Sequence, residues 1–363
     1  MRKPPDKERI VMTNHSISSR GETFFLNLRF LLIVCVFIGN AIEPLITRLH
    51  GMEALYMWIF TFHMPLFVFV TGYFAKSNLF GGAGRKVLLQ IAMQYMIFQT
   101  LYLALDALLF HVHNTHYSYF APYLLLWFLA SHFCWRLLLI MLQKLTPLQQ
   151  VITAVLLGVL VGYLPVDGVW LSISRTLVFF PFFIIGYHFS YARLKLLFTH
   201  KVKIFALSAS ALLFLWIALG GLNISPGWLY GNMTYGQLGQ IAWYTGIFRM
   251  LLYILQALAA ASFLAFVPWR KSSITDMGRR TLYVFLLHGF IVRLAALSPI
   301  YSWIHSDVAS LVLVAAAVAL TLLLCQPFVR KLAAPLIEPS VQWIVDLEHR
   351  ATHSFGTSAA SKH

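Results

Sequence analysis

Long apolar runs dominate this sequence and constrain its fold more than any other feature. A run of about 17 to 25 apolar residues is long enough to cross a bilayer as a helix. Only 11% of the 363 residues are charged, whereas a soluble domain has about 25%. The sequence therefore predicts an all-α, polytopic membrane protein, a bundle of about ten transmembrane helices. The predicted spans are 28–46, 54–75, 87–110, 119–142, 150–164, 173–190, 203–222, 238–266, 281–299 and 308–328.

The basic residues predict how these spans are oriented. Of the 27 Lys and Arg residues, 23 lie in the two terminal regions, in the loops that follow spans 2, 4, 6 and 8, or in the span ends that adjoin them. Because Lys and Arg accumulate in cytoplasmic loops, we expect a cell-membrane protein with both termini cytoplasmic. The expected division is an N-terminal tail at 1–27, a membrane domain at 28–328 and a C-terminal tail at 329–363. Topology and anionic membrane lipids account for the net charge of +15, so nucleic acid is not an expected partner.

Polar residues interrupt the first two spans. Asn40 and Glu43 are three residues apart and share one helix face. His63 stands beside Met64-Pro65, where proline removes a backbone hydrogen bond. Ionisable groups at membrane depth are costly and usually face a functional cavity. We therefore predict a site at these spans in which His63 holds or shuttles a proton; the alternative is that His63 only bonds a freed carbonyl group.

A basic cluster is predicted at the cytoplasmic end of this site. Arg29 precedes Asn40 by eleven residues, which is about three helical turns, or roughly 16 Å. Lys76, Arg85 and Lys86 follow the second span. These residues suit a phosphate-bearing ligand. The alternative is that a basic residue at the end of a span extends its charged group to the membrane surface without binding a ligand.

Further candidates lie in later spans. His288 is within span 9, where a single histidine is also compatible with a structural role. Arg175 and Arg249 are near or within spans 6 and 8, and Arg249 needs a partner, for which Glu43 and Asp106 are the candidates. Trp127 is a candidate cavity residue with packing as the alternative. We interpret Arg175, Arg249 and Trp127 as substrate-binding candidates.

Two predicted outward loops, 111–118 and 221–237, combine polar and aromatic residues. This composition suits a carbohydrate, although aromatic residues also anchor membrane proteins at the interface. The sequence has no GxxxxGK[ST], HExxH or CxxC motif, so neither nucleotide hydrolysis nor a metal site is predicted. The three cysteines lie apart in apolar runs and are interpreted as packing residues.

Five segments resemble the integral-membrane acyltransferase family 3, particularly its fucose 4-O-acetylase-like branch. They are FFLNLRFLLIVCVFIGNAIEPLI (24–46), FTFHMPLFVFVTGYF (60–74), YLLLWFL (123–129), FFPFFIIGYHF (179–189) and MGRRTLYVFLLHGFIVR (277–293). The resemblance implies a ten-span O-acyltransferase without a bound cofactor. Its co-substrate would be cytoplasmic acyl-CoA, commonly acetyl-CoA, and its acceptor the hydroxyl of a glycan or lipid-linked sugar. Membrane lipids and a second copy of the chain are further expected partners.

One departure from the family pattern falls at the expected centre of catalysis. The family's first span usually reads Arg-x10-His, whereas this chain has Arg29-x10-Asn40. An amide cannot accept a proton near neutral pH. Three outcomes follow: His63 and then His288 perform the chemistry, Glu43 becomes the base, or the chain binds without transferring. A transporter or membrane binding protein is the rival class, and an inactive partner of an active relative is the third hypothesis.

Overall fold

The computed structural model describes residues 19–110, 118–165, 170–192, 194, 199–239 and 241–344. Within these ranges the chain is helical and contains no β-strand, which confirms the predicted all-α membrane fold. The terminal regions 1–18 and 345–363 and most of the first polar loop, 111–117, lie outside the described residues.

The described helices follow the predicted spans closely. Eight helical segments in the described ranges are long and apolar enough to cross a membrane, and two shorter apolar segments, Pro147–Tyr163 and Thr281–Leu297, match the fifth and ninth predicted spans. The helices are α1 (Ser19–Ile42), α2 (His50–Ala75), α3 (Gly81–Leu105), α4 (Trp127–Met141), α5 (Pro147–Leu160), α6 (Ile173–His188), α7 (His200–Ala218), α8 (Gly227–Tyr230), α9 (Thr245–Phe263), α10 (Ser273–Gly278), α11 (Thr281–Leu297), α12 (Asp307–Leu324) and α13 (Pro327–Ile337).

Two boundaries differ from the expectation. Helix α1 begins at Ser19, nine residues before the predicted start of the span at 28, because the polar residues Ser19–Thr23 continue the same helix. Helix α13 lies in the region that was predicted to be a tail. It packs against α3 and α11 through Val329 and Ile337, so apolar burial extends beyond the last predicted span.

Helices α1 and α2 form the centre of the bundle, whereas α7 and α12 lie at its edge. In both central spans 67% of the most apolar stretch is buried, compared with 17% for α7 and α12. Helix α2 continues through Pro65 without a break. Its closest neighbour is α6, and the two backbones approach each other at Gly72 and Gly186. Small residues allow such close packing where lipid replaces water.

Candidate active site

A cavity of about 220 Å³ lies between α1, α2, α4 and α6, and we call it the outer cavity. It brings together the residues predicted from the first two spans with two further predicted candidates, Trp127 and Arg175. Its polar and aromatic lining includes Asn40, Glu43, Tyr56, Phe60, His63, Trp127, Arg175 and Tyr230. The name follows the predicted topology, in which these helix ends face away from the cytoplasm.

His63 is held in a fixed orientation within this cavity. Its ring is buried, and Nδ1 lies 2.8 Å from the carbonyl oxygen of Ile59. Because a carbonyl oxygen only accepts, Nδ1 must donate its proton there. In the neutral ring this leaves Nε2 as the proton acceptor. The sequence alone left such a hydrogen bond to a backbone carbonyl as the alternative to a functional role for His63. The bond is compatible with that role, because it leaves Nε2 unprotonated, as a general base requires.

Asn40 lines the same cavity, one helical turn from Glu43. Its Nδ2 donates a hydrogen bond of 2.8 Å to the carbonyl oxygen of Val36 in its own helix. The amide oxygen remains as an acceptor, so Asn40 can hold a hydroxyl group but cannot take its proton. The structure thus places Asn40 and His63 in the lining of one cavity.

Two tyrosines and Glu43 form the polar side of the outer cavity. The hydroxyl oxygens of Tyr56 and Tyr230 are 2.7 Å apart, and Glu43, which is exposed, lies beside Tyr56. Burial raises the pKa of Tyr230, so its hydroxyl stays protonated near neutral pH. Tyr230 ends α8 in the predicted loop 221–237 and lines the cavity, whereas the other aromatic residues of that loop, Trp228 and Tyr235, are buried.

Arg175 and Trp127 also line the outer cavity. The guanidinium carbon of Arg175 lies 4.8 Å from the ring centroid of Trp127, a cation–π arrangement. Among the described residues, the Nε atom of Arg175 has no hydrogen-bond partner although it is buried. Arg175 is therefore fixed over an aromatic ring with donor capacity left for a ligand.

A second cavity of about 240 Å³, which we call the inner cavity, lies toward the other ends of α1, α2 and α4. Arg29 lines it, as the sequence predicts, together with His132 and Arg136. Its remaining polar lining consists of Thr71, Asn78, Gln90, Gln94 and Thr281. Within the part of the chain that the structure describes, no Asp or Glu lines this cavity. Two arginines without a carboxylate favour an anionic ligand.

Arg136 is a functional candidate that the sequence does not reveal, because a basic residue toward the cytoplasmic end of a span is expected from topology alone. It is 2% exposed. Its guanidinium donates from Nη1 to Asn78 Oδ1 at 3.1 Å and from Nη2 to the Asn78 carbonyl oxygen. Its buried Nε has no partner among the described groups. The i, i+4 spacing of His132 and Arg136 was the available signal, since it places both on one helix face.

The other predicted phosphate-binding residues lie elsewhere. Lys76 donates to the carbonyl oxygen of Phe189 and lies over the ring of Tyr73, and burial lowers its pKa to about 8. Arg85 and Lys86 are exposed at the start of α3 and line neither cavity. Of the predicted basic cluster, only Arg29 lines a cavity.

His288 and Arg249 also lie outside both cavities. His288 is buried, and its Nδ1 lies 2.9 Å from the carbonyl oxygens of Val284 and Phe285 in its own helix. Arg249 donates a hydrogen bond of 2.7 Å to the backbone carbonyl oxygen of Trp228, and its guanidinium group lies over the Trp228 ring.

The two carboxylates that the sequence offered as partners for Arg249 are placed elsewhere. Asp106 pairs with Arg293 at 3.2 Å, and Glu43 lines the outer cavity. Arg249 instead contacts the backbone carbonyl and the indole ring of Trp228. Sequence spacing does not reveal contacts of this kind.

The order of lining residues along each helix agrees with the predicted topology. In α1 the inner-cavity residue Arg29 precedes the outer-cavity residue Asn40. In α4, which the topology makes antiparallel to α1, the outer-cavity residue Trp127 precedes the inner-cavity residue Arg136. The same helices therefore connect a cationic cavity on one side of the bundle with a polar, aromatic cavity on the other.

A family model described as an acyltransferase domain, Acyl_transf_3, matches residues 24–330. The chain belongs to this acyltransferase family. The match covers every residue of both cavities, so the two cavities lie within the family's domain. No curated protein and no solved structure matches the chain. The fucose 4-O-acetylase-like branch of the acyltransferase family stays a prediction.

Proposed function

We propose that this acyltransferase moves an acyl group, commonly acetyl, from cytoplasmic acyl-CoA to a hydroxyl of a glycan or lipid-linked sugar. The observation that carries the proposal is the pair of chemically different cavities on shared helices. The inner cavity offers cations without carboxylates, which suits an anionic donor. The outer cavity offers a base and aromatic rings with polar groups, which suits a sugar hydroxyl.

The proposed reaction is a direct transfer in which His63 is the general base. The acceptor oxygen attacks the thioester carbonyl carbon while its proton passes to His63 Nε2. The new carbon–oxygen bond forms and the carbon–sulfur bond breaks, so the thiolate leaves on the side of the inner cavity. Arg29 and Arg136 favour that negative charge. The thiolate then takes a proton from water, and His63 returns its own proton to solvent.

The decisive experiment measures transfer from labelled acetyl-CoA in vesicles that contain the purified protein and extracted cell-envelope glycans. We expect label on the glycan fraction of wild type and none with heat-inactivated protein. Absence of label on every glycan and lipid-linked sugar tested would contradict the enzymatic proposal and favour binding or transport.

Arg136→Gln is expected to raise the KM for acetyl-CoA about 10- to 150-fold, since a lost charge-assisted contact costs roughly 1.5–3 kcal/mol. At saturating acetyl-CoA the KM for the acceptor should stay unchanged, because Arg136 lines only the inner cavity. Steady-state kinetics with each substrate varied in turn measure both values. Lys144→Gln, at an exposed basic residue just beyond α4, is the matched control. Equal changes in both KM values would argue for a general structural effect of Arg136.

Asn40→His is expected to raise the transfer rate about tenfold, because it adds a proton acceptor to the cavity that holds His63. Asn40→Ala, which also removes the bond to Val36 but adds no base, should not reproduce the gain. Initial rates with saturating acetyl-CoA measure the difference. A rate at or below wild type would show that the site is built around His63 without need of a second imidazole.

A further inference from the structure

Three phenylalanines line both cavities and stand between them. They are Phe67 from α2, Phe128 from α4 and Phe285 from α11, and we call them the phenylalanine wall. The ring centroids of Phe67 and Phe128 are 5.4 Å apart, and those of Phe128 and Phe285 are 5.5 Å apart. Edge-to-face rings at this spacing are in van der Waals contact. The wall therefore lies on the direct route between the inner and the outer cavity.

The wall lies where the transferred group must pass. His63 and Thr71 are each four residues from Phe67 on the same face of α2, and they line the outer and the inner cavity respectively. On α4, Phe128 follows the outer-cavity residue Trp127 and precedes the inner-cavity residue His132 by one turn. A thioester bound in the inner cavity thus meets the acceptor hydroxyl only at these rings.

We propose that the phenylalanine wall separates the two cavities and that Phe128 determines which acyl groups cross it. This inference rests on the proposed function. Phe128 is the central ring, because it contacts both of the others. A phenylalanine side chain has no hydrogen bond to break, so its rotation opens a passage without movement of a helix. The passage made by one ring admits an acetyl group more readily than a longer chain.

The first test compares acetyl-CoA with butyryl-CoA as donors for wild type and Phe128→Ala. We expect the ratio of butyryl to acetyl transfer to rise at least about tenfold, since two further methylenes in a tight apolar site cost about that much or more. Phe128→Leu should give an intermediate ratio. Phe98→Ala is the matched control, because Phe98 is also fully buried but lines neither cavity. An unchanged ratio in Phe128→Ala with transfer retained would overturn the inference.

The second test does not depend on activity. Asn40→Cys serves as a reporter in the outer cavity after Cys35, Cys134 and Cys325 are replaced by alanine. A membrane-impermeant thiol reagent is added from the inner side of oriented vesicles. We expect Phe128→Ala to speed labelling at least about tenfold, because removing one ring joins two cavities of about 240 and 220 Å³. Equal labelling rates with and without Phe128 would overturn the separation of the cavities.

The two readouts distinguish the failure of this inference from the failure of the proposed function. If wild type transfers no acyl group, the proposed function and the acyl selection fail together, whatever the labelling shows. If wild type transfers acetyl but neither the acyl ratio nor the labelling rate responds to Phe128→Ala, the inference about the phenylalanine wall is contradicted and the proposed function is not. Faster labelling together with a changed acyl ratio supports both parts of the inference.

Discussion

Replacing His63 with alanine is expected to lower the rate of acyl transfer by about 10² to 10⁴-fold, the usual contribution of a general base. The prediction follows from the hydrogen bond between His63 Nδ1 and the Ile59 carbonyl, which leaves Nε2 free to accept a proton in the outer cavity. His63→Gln should be almost as slow, because glutamine retains polarity but accepts no proton. Single-turnover rates with labelled acetyl-CoA measure the loss.

The control for His63→Ala is His200→Ala, at an exposed histidine at the start of α7. Its rate should equal that of wild type, and both variants should show the wild-type elution volume in detergent. Glu43→Gln separates the two candidate bases. If His63→Ala retains its rate while Glu43→Gln loses it, Glu43 is the base and our assignment is wrong.

Gly186→Ala is expected to destabilise the bundle by about 3 kcal/mol, toward the upper end for overpacking a close-packed interior. A Cβ atom on Gly186 would lie 1.9 Å from the carbonyl oxygen of Phe69, and one on Gly72 would lie 2.0 Å from that of Phe183. Both obstacles are backbone atoms of the opposing helix, so the added methyl group must push α2 and α6 apart. Thermal or denaturant unfolding in detergent measures the change.

Gly82→Ala is the matched control for this prediction. Gly82 lies in the first turn of α3, where an added Cβ atom meets nothing within 4 Å. Alanine has the higher helix propensity there, so stability should be unchanged or rise by a few tenths of a kcal/mol. If Gly186→Ala were as stable as Gly82→Ala, the close approach of α2 and α6 would not contribute to stability.

The fold was predictable from the sequence because a helix that crosses the lipid bilayer must consist mainly of apolar residues. Every predicted span corresponds to a helix, including the short segments Pro147–Tyr163 and Thr281–Leu297. The exact ends were less predictable. Hydropathy cannot mark Ser19 as a helix start, because four of the first five residues of α1 are polar.

The outer cavity was partly predictable, and the inner cavity hardly at all. Asn40, Glu43 and His63 were conspicuous because they are polar within apolar runs. Arg136 was not, since an arginine near a cytoplasmic helix end is expected from topology alone. Only the three-dimensional arrangement shows that its side chain turns inward to Asn78 rather than outward to lipid headgroups. An arginine that lines a cavity and an arginine that reaches lipid headgroups cannot be told apart from the local sequence.

The helices that line both cavities have an energetic consequence. Because α1, α2, α4 and α11 each contribute residues to both cavities, a ligand that shifts one of these helices alters the affinity of both sites. Such coupling is reciprocal: whatever factor the donor imposes on acceptor affinity, the acceptor imposes on donor affinity. We therefore expect donor and acceptor to bind as one linked equilibrium, in which neither affinity is defined without the concentration of the other ligand.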